Sequence, residues 1–308
     1  MSDDVLASKL GSDSSRDGLS RLGQHLGVDA PHVVGRLRGG AACDVFWLEL
    51  DRGGGTESVV LRTFPAHMAV SAGFEWAALK TAVLAPIPTP EPLAFDRSGA
   101  WFETPSIVMS RLPGSPVWEP ADVAEWTRQL AATLAGVHAA ATGRVPESMS
   151  RPAIWDRWTP TELPTAVVDG VRSALARLAG SGWERGLCHG DVHPGNVLFG
   201  QFAVTGVVDW VSARWGPVLS DLARCRCALA IWPGGDAPGQ LLEHYVAVTN
   251  RSLAGLDYWD VLSGALSVEH GGGWVAMYRD LDVAVDETLI RDRSRAFMHE
   301  ALRRARLL

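Results

Sequence analysis

Three polar residues in an otherwise apolar stretch carry the chemistry this sequence can do. Asp191 and Asn196 lie on one short loop, and Asp209 follows after two apolar segments, Val197-Leu198-Phe199 and Val204 to Val208. Gly200 can turn the chain between those segments, so they read as a small β-hairpin. A hairpin returns the chain to its start. Asn196, just before the first strand, and Asp209, just after the second, are therefore expected side by side. One amide oxygen beside one carboxylate suits a hard cation that keeps part of its water and also binds phosphate oxygens, which is the habit of magnesium. Asp191 stands before a Pro194-Gly195 turn, in which Pro pre-sets φ and Gly is free to take positive φ.

A second reading of the same stretch is a metal-ligand strand, because His189, Asp191 and His193 alternate. A zinc hydrolase site needs three or four ligands of defined geometry. His244, His270 and His299 are scattered without such spacing, so this metallohydrolase reading ranks below the first. Taken alone, His189 reads as a hydrogen-bonded buttress of the loop.

The elements that must position these residues follow from pattern. Residues 1–18 are rich in Ser, Asp and Gly and are expected to fray. Leu19, Leu22 and Leu26 predict a short helix ended by Gly27. Strand-like runs at 32–37 and 45–50 flank a loop of small residues with Gly39 and Gly40. Such a loop lets backbone N–H groups approach phosphates, although it lacks GxGxxG and most such loops are plain hairpin turns. A strand at 58–64 and a helix at 74–79 come next, then a Pro-rich connector at 86–92 that cannot be helical. Trp101-Phe102 and 106–109 are predicted strands. Val123, Trp126, Leu130, Leu134 and Val137 form one helical stripe, and His138 at its end reads as a satisfied buried histidine. Residues 144–165 are irregular, rich in Pro and Trp. Helices are expected at 166–178, 222–231, 240–254, 258–278 and 286–306, with three glycines, 271–273, breaking the fourth.

Composition sets bounds. The 308 residues, 47% hydrophobic, are enough for two lobes with a sizeable core. A net charge of −7 favours neither nucleic acid nor an anionic membrane. The four cysteines form no CxxC pair and no disulfide framework, which fits a reduced, cytoplasmic setting. The N-terminal stretch has no apolar segment of the signal-peptide kind, and no apolar run reaches membrane-spanning length.

The order carboxylate, turn, amide, hairpin, carboxylate is that of a kinase catalytic segment. His189-Gly190-Asp191, Asn196, Val208-Asp209-Trp210, Gly216-Pro217 and Asp221-Leu222-Ala223 together resemble the signature of the aminoglycoside phosphotransferase family, the choline-kinase-like small-molecule kinases. The resemblance implies an α+β, two-lobed protein-kinase-like fold. A small antiparallel β-rich lobe would span 1–112, and a mostly helical lobe, holding the catalytic loop and acceptor site, 113–308. It implies ATP or GTP with Mg2+ as cofactors, and as partners a nucleoside triphosphate and a small hydroxyl-bearing acceptor.

Residue by residue, the resemblance makes Asp191 the catalytic base and Asn196 and Asp209 the metal ligands. His189, His193 and Asp221 become structural support. Arg62 takes the strand slot where kinases present a lysine; the only lysines here are Lys9 and Lys80. Arg can grip phosphate bidentately, and Glu75 is its expected partner. Gly39 and Gly40 would cover the nucleotide, Met109 would back the adenine ring, and backbone groups at Ser110 and Leu112 would meet its edge. Candidates for the acceptor pocket are Trp155, Trp158, Trp232, Glu269, His270, Trp274 and Tyr278, although tryptophans so placed are most often core. The family's acceptors include aminoglycosides, macrolides and metabolites such as choline, so an antibiotic or a metabolite is expected. A nucleotide-binding scaffold without turnover is the other alternative, and the intact Asp191, Asn196 and Asp209 argue against it.

Overall fold

Alternation along the strands builds the first lobe. The computed structural model describes residues 13–38, 43–140, 149, 165–179 and 182–307. Helix α1 (Asp13–Leu26) precedes strands β1 (His32–Arg36), β2 (Asp44–Asp51) and β3 (Thr56–Thr63), helix α2 (Ala69–Ala82), and strands β4 (Pro92–Asp96) and β5 (Ser106–Ser110). The strands make one antiparallel sheet in the order β1-β2-β3-β5-β4. Successive side chains on a strand point to opposite faces. Phe46, Leu48 and Leu50 of β2, Val59 and Leu61 of β3 and Val108 of β5 therefore share one face, packed on Leu19 and Leu22 of α1. Val60, Ile107 and Met109 turn to the other face, against Ala72, Ala78 and Leu79 of α2. Arg62, two residues beyond Val60, turns with them toward the cleft.

Two expectations for this lobe are corrected. Helix α1 starts at Asp13, inside the stretch expected to fray. Its buried Leu19 and Leu22 fix it on the sheet, and Gly18 lies so close to the Trp101 carbonyl that a Cβ would clash. Trp101-Phe102 is a turn, and the strand is Pro92–Asp96 instead. The Asp96 carboxylate accepts the N–H groups of Ser98 (2.9 Å), Gly99 (2.9 Å) and Trp101 (2.7 Å), which winds the chain out of extended geometry. Gly99 and Glu103 take the left-handed conformation this turn needs. Gly39, Gly40, Trp155 and Trp158 lie outside the described residues.

The second lobe comprises α3 (Val123–His138), α4 (Thr165–Leu178), β6 (Arg185–Cys188), β7 (Val197–Phe199), β8 (Val204–Val207), β9 (Arg214–Pro217), α5 (Val218–Ile231), α6 (Ala237–Thr249), α7 (Leu256–His270), α8 (Val275–Asp280) and α9 (Glu287–Arg304). Asp122 caps α3 and Asp286 caps α9, each accepting the N–H three residues on. The α3 stripe Trp126, Leu130 and Leu134 packs with Leu222 and Leu229 of α5, Leu241 and Tyr245 of α6 and Trp259 and Leu262 of α7. The expected hairpin is present: Val197 pairs with Val207. Strands β6 and β9, which the sequence did not signal, pair antiparallel and clamp the two ends of the catalytic segment together. Helix α7 ends at the glycines, where a short 3-10 turn (Gly271–Trp274) leads into α8. No helix among the described residues is long and apolar enough to cross a membrane.

The crossing of α7 and α9 depends on a missing side chain. A Cβ on Gly264 would stand 2.7 Å from the Met298 Cβ and 3.2 Å from its Cα. Backbone atoms cannot rotate away, so the helices would have to part. Gly264→Ala is expected to destabilise the protein by roughly 1–3 kcal/mol in urea unfolding, and an unchanged midpoint would show that this crossing yields freely.

Candidate active site

The catalytic segment hangs from Asp221, in the first turn of α5. This carboxylate is fully buried and accepts the backbone N–H groups of His189 (2.7 Å) and Gly190 (2.8 Å). His138 Nε2 lies 3.3 Å from it, and His138 Nδ1 lies 2.7 Å from the Tyr245 hydroxyl. Burial works against the Asp221 charge, but the His138 hydrogen bond and neighbouring positive groups outweigh it and hold the pKa at about 2. Gly190 has φ +87°, and a Cβ there would run into the Ser212 carbonyl oxygen. The residue between His189 and Asp191 must therefore be glycine.

His189 is a buttress, as its position suggested. Its Nε2 donates to the Val208 carbonyl (2.9 Å), its Nδ1 accepts the Asp191 N–H (3.3 Å), and its ring meets Trp210 edge-on at 4.6 Å. Both ring nitrogens are in use, which leaves no lone pair for a metal. His193 Nδ1 accepts the Gly195 N–H at 3.1 Å and so caps the turn Pro194–Asn196. Burial lowers the pKa of His193, with Asp191 pulling the other way, and its Nε2 lies 4.0 Å from Asp191 Oδ2. The alternating His-x-Asp-x-His stretch thus does not converge on a common centre.

The hairpin brings Asn196 and Asp209 together. The Val208 N–H donates to the Asn196 carbonyl at 2.9 Å, one residue before Asp209. Asn196 Nδ2 donates to the Asp191 carbonyl (2.9 Å), which fixes the amide and leaves Oδ1 as the atom that could hold a metal. Asp209 sits in the left-handed region at φ 65° and ψ 65°, uncommon outside glycine and better tolerated by Asp than by most residues.

Asp209 Oδ1 lies 2.9 Å from Arg62 Nη1, and the same nitrogen lies 2.9 Å from Glu75 Oε1. Burial works against charge on both Arg62 and Asp209. The pair outweighs it, so Arg62 is held above its ordinary range and Asp209 below. Burial pushes the Glu75 carboxyl up to about 7, against the pull of Arg62. Both ends of that ion pair are raised, which favours the charge on Arg62 and works against it on Glu75. Arg62 is the firmly charged end, because it has two anions and Glu75 has one cation.

At the strand-to-linker crossing, Met109 is buried on the α2 face. The Ser110 N–H is taken by the Glu91 carbonyl (2.9 Å), so it is not free to meet a ligand. Nothing among the described residues takes the Leu112 N–H, and its side chain rests on Gly206 of β8, where a Cβ would meet it.

Two residues near Asp191 escaped the sequence reading. Arg224 Nη2 lies 2.8 Å from Asp191 Oδ1, and its guanidinium carbon lies 4.8 Å from the centre of the Trp274 ring. Arg224 stands three residues after Asp221, on a neighbouring helical position, and that spacing was the available signal. Trp118, in the linker before α3, meets the Tyr278 ring edge-on at 5.5 Å and lies 6.2 Å from the His193 ring. Its carbonyl accepts the Trp232 indole N–H at 2.8 Å. Trp232, Trp274 and Tyr278 are thus gathered beside Trp118, Arg224 and His193. Glu269 is buried in α7 and His270 is exposed at its end; neither belongs to that aromatic group.

The family model described as the phosphotransferase enzyme family matches residues 33–259. Among solved structures, the aminoglycoside phosphotransferase APH(4)-Ia, in a ternary complex with AMP-PNP and hygromycin B, is 16% identical, with a TM-score of 0.66 over 94% of this chain and 98% of that one. A macrolide 2'-phosphotransferase from Brachybacterium faecium is 21% identical, with a TM-score of 0.58 over 92% of this chain and 97% of that one. An ethanolamine kinase of Plasmodium vivax is 12% identical, with a TM-score of 0.59 over 92% and 85%. No curated protein matches the chain. At these identities the likeness shows the two-lobed kinase-like fold.

Asp221 gives the site a dependence on acid. Its folded pKa of about 2 lies below the ordinary 3.8, so its contribution is fully present above the ordinary value and is lost as pH falls through the folded one. That contribution is about 2 kcal/mol. Asp221→Asn is expected to remove this part of the stability profile between about pH 4 and pH 2, measured by urea unfolding across that window. A variant with the wild-type acid slope would show that another carboxylate carries it.

Proposed function

Since the chain belongs to the phosphotransferase enzyme family and is a small-molecule phosphotransferase, we propose that it moves the γ-phosphoryl group of ATP or GTP to a hydroxyl of a small acceptor. The observation that carries this reading is the one guanidinium nitrogen of Arg62 held between Glu75 and Asp209, at the mouth of the Asn196–Asp209 hairpin. Phosphoryl transfer asks for positioning and charge neutralisation more than for covalent chemistry. A buried cation on β3, beside the carboxylate that ends the hairpin, is an arrangement suited to a triphosphate.

The donor set fits magnesium. Asn196 Oδ1 and the Asp209 carboxylate are hard oxygen ligands, and Asp209 is kept ionised. Asn196 and Asp209 would hold the ion, whose contribution there would be neutralisation of phosphate charge. Arg62, freed in part from Asp209, would grip the phosphates while Glu75 keeps it in place. Met109 would back the base of the nucleotide, with the Leu112 N–H on its edge. Asp191 would orient the acceptor hydroxyl and receive its proton, while His189, His193 and Asp221 hold the loop that carries it. The similar structures divide between antibiotic and metabolite acceptors: one holds hygromycin B, one is a macrolide 2'-phosphotransferase and one an ethanolamine kinase.

Two substitutions separate chemistry from binding. Asp191→Asn should lower transfer by roughly two to four orders of magnitude and leave nucleotide affinity nearly unchanged. Asp209→Asn should weaken magnesium-dependent nucleotide binding and transfer together. Calorimetry with AMP-PNP and magnesium, beside ADP release with an acceptor panel, reads both. Near-normal turnover in Asp191→Asn would remove the base assignment.

The phosphate clamp has its own test. Arg62→Ala should depress kcat/KM for ATP at least about tenfold, or about 1.4 kcal/mol of transition-state stabilisation. Wild-type ATP kinetics in a folded Arg62→Ala protein would take Arg62 out of the site.

A further inference from the structure

Arg224 is an unusual neighbour for a base that is to serve a polycationic acceptor. Its Nη2 lies 2.8 Å from Asp191 Oδ1, yet its Nη1 is buried and has no hydrogen-bond partner among the described residues. A guanidinium present only to hold a carboxylate would use its fork, two parallel N–H···O contacts. Here half the fork is spent on Asp191 and half is unused. A buried N–H group without an acceptor is destabilising, and in a binding site it marks where a ligand oxygen belongs. The guanidinium is held from its other side by the face of Trp274 at 4.8 Å, so it cannot swing away to solvent without losing that contact.

The surroundings say what the ligand oxygen belongs to. Asp191 is already paired with Arg224. A cationic amine brought to Asp191 would meet the Arg224 guanidinium at close range, where like charges repel strongly. An anion would relieve both the unused N–H groups and the pairing that occupies the base. A phosphate dianion beside Asp191 and a triphosphate would leave excess negative charge; a single carboxylate matches the single guanidinium. Trp274, Tyr278 and Trp118 supply flat apolar walls beside it, suited to a ring or a sugar face.

We propose that Arg224 selects the acceptor, and that the acceptor is a carboxylate-bearing alcohol built on a ring, a hydroxy acid or sugar acid. This rests on the phosphotransferase reading and narrows it. The acceptor carboxylate takes the Arg224 Nη1 and draws the guanidinium from Asp191 Oδ1. Asp191 then meets the acceptor hydroxyl. The hydroxyl oxygen bonds to the γ-phosphorus as the bond from that phosphorus to the β,γ-bridging oxygen breaks. The electron pair leaves with the nucleoside diphosphate, and the hydroxyl proton passes to the Asp191 carboxylate.

The test is a set of matched acceptors assayed for ADP release with ATP and magnesium. It uses D-glucuronate and 4-(hydroxymethyl)benzoate, each against its methyl ester, with glucose 6-phosphate and an aminoglycoside alongside. Wild type is expected to use at least one carboxylate at least about tenfold better than its ester in kcat/KM, and Arg224→Gln to abolish that preference through KM. Arg224→Lys, which keeps the charge, should keep part of the preference and so separates lost recognition from lost folding. Carboxylate binding to wild type, followed by calorimetry, should vanish in Arg224→Gln. Equal or better use of the esters, the sugar phosphate or the aminoglycoside would overturn the carboxylate assignment and leave the phosphotransferase standing. Transfer to none of these, with no carboxylate bound, would overturn both.

Discussion

One nitrogen of Arg62 lies between two carboxylates, and each belongs to a different lobe. Glu75 comes from α2 of the sheet lobe, and Asp209 comes from the end of the hairpin in the helical lobe. Arg62 and Glu75 are almost wholly withdrawn from solvent. Arg62 is the member the other two depend on, because taking the guanidinium away leaves two carboxylates facing each other with no cation between them. Strand alternation aims Arg62 at the cleft, the buried face of α2 aims Glu75 at it, and the hairpin returns Asp209 to meet them. The geometry of the cleft is therefore written into one shared contact between segments 147 residues apart.

Three aspartates in the helical lobe show how environment divides one side chain among roles. Asp221 is buried and saturated by two backbone N–H groups and a histidine. It holds the loop at His189 and Gly190. Asp209 is paired with Arg62 on a left-handed backbone. Asp191 is the most open of them, with a side chain 35% exposed and held by only part of a guanidinium. Of the three, Asp191 is the one least fixed by its surroundings.

What the sequence made legible tracks how locally each feature is specified. The Asn196–Asp209 pairing follows from two short apolar runs and one turn, so it could be read directly. The buttressing by His189 followed from its place in the loop, whereas the Arg62–Glu75 pair was legible only through the family resemblance. Strands β6 and β9 were not legible, because four residues with no alternation give no period to detect and each is defined by its partner. The exchange of Trp101-Phe102 for Pro92–Asp96 turned on the Asp96 carboxylate, whose hydrogen bonds to the next turn outweigh the strand preference of two aromatic residues. Arg224 and Trp118 reach Asp191 and His193 from separate elements, and only folding brings them there.

The choice of arginine on β3 reaches beyond phosphate binding. Many reagents that survey nucleotide sites across a proteome are acylating nucleotides, which mark a protein by reacting with a lysine amine beside the phosphates. β3 carries instead a guanidinium, Arg62, that stays protonated and does not act as a nucleophile. Lys80, the one lysine among the described residues, is exposed on α2. A covalent inhibitor built to capture a lysine on this strand would find none at position 62.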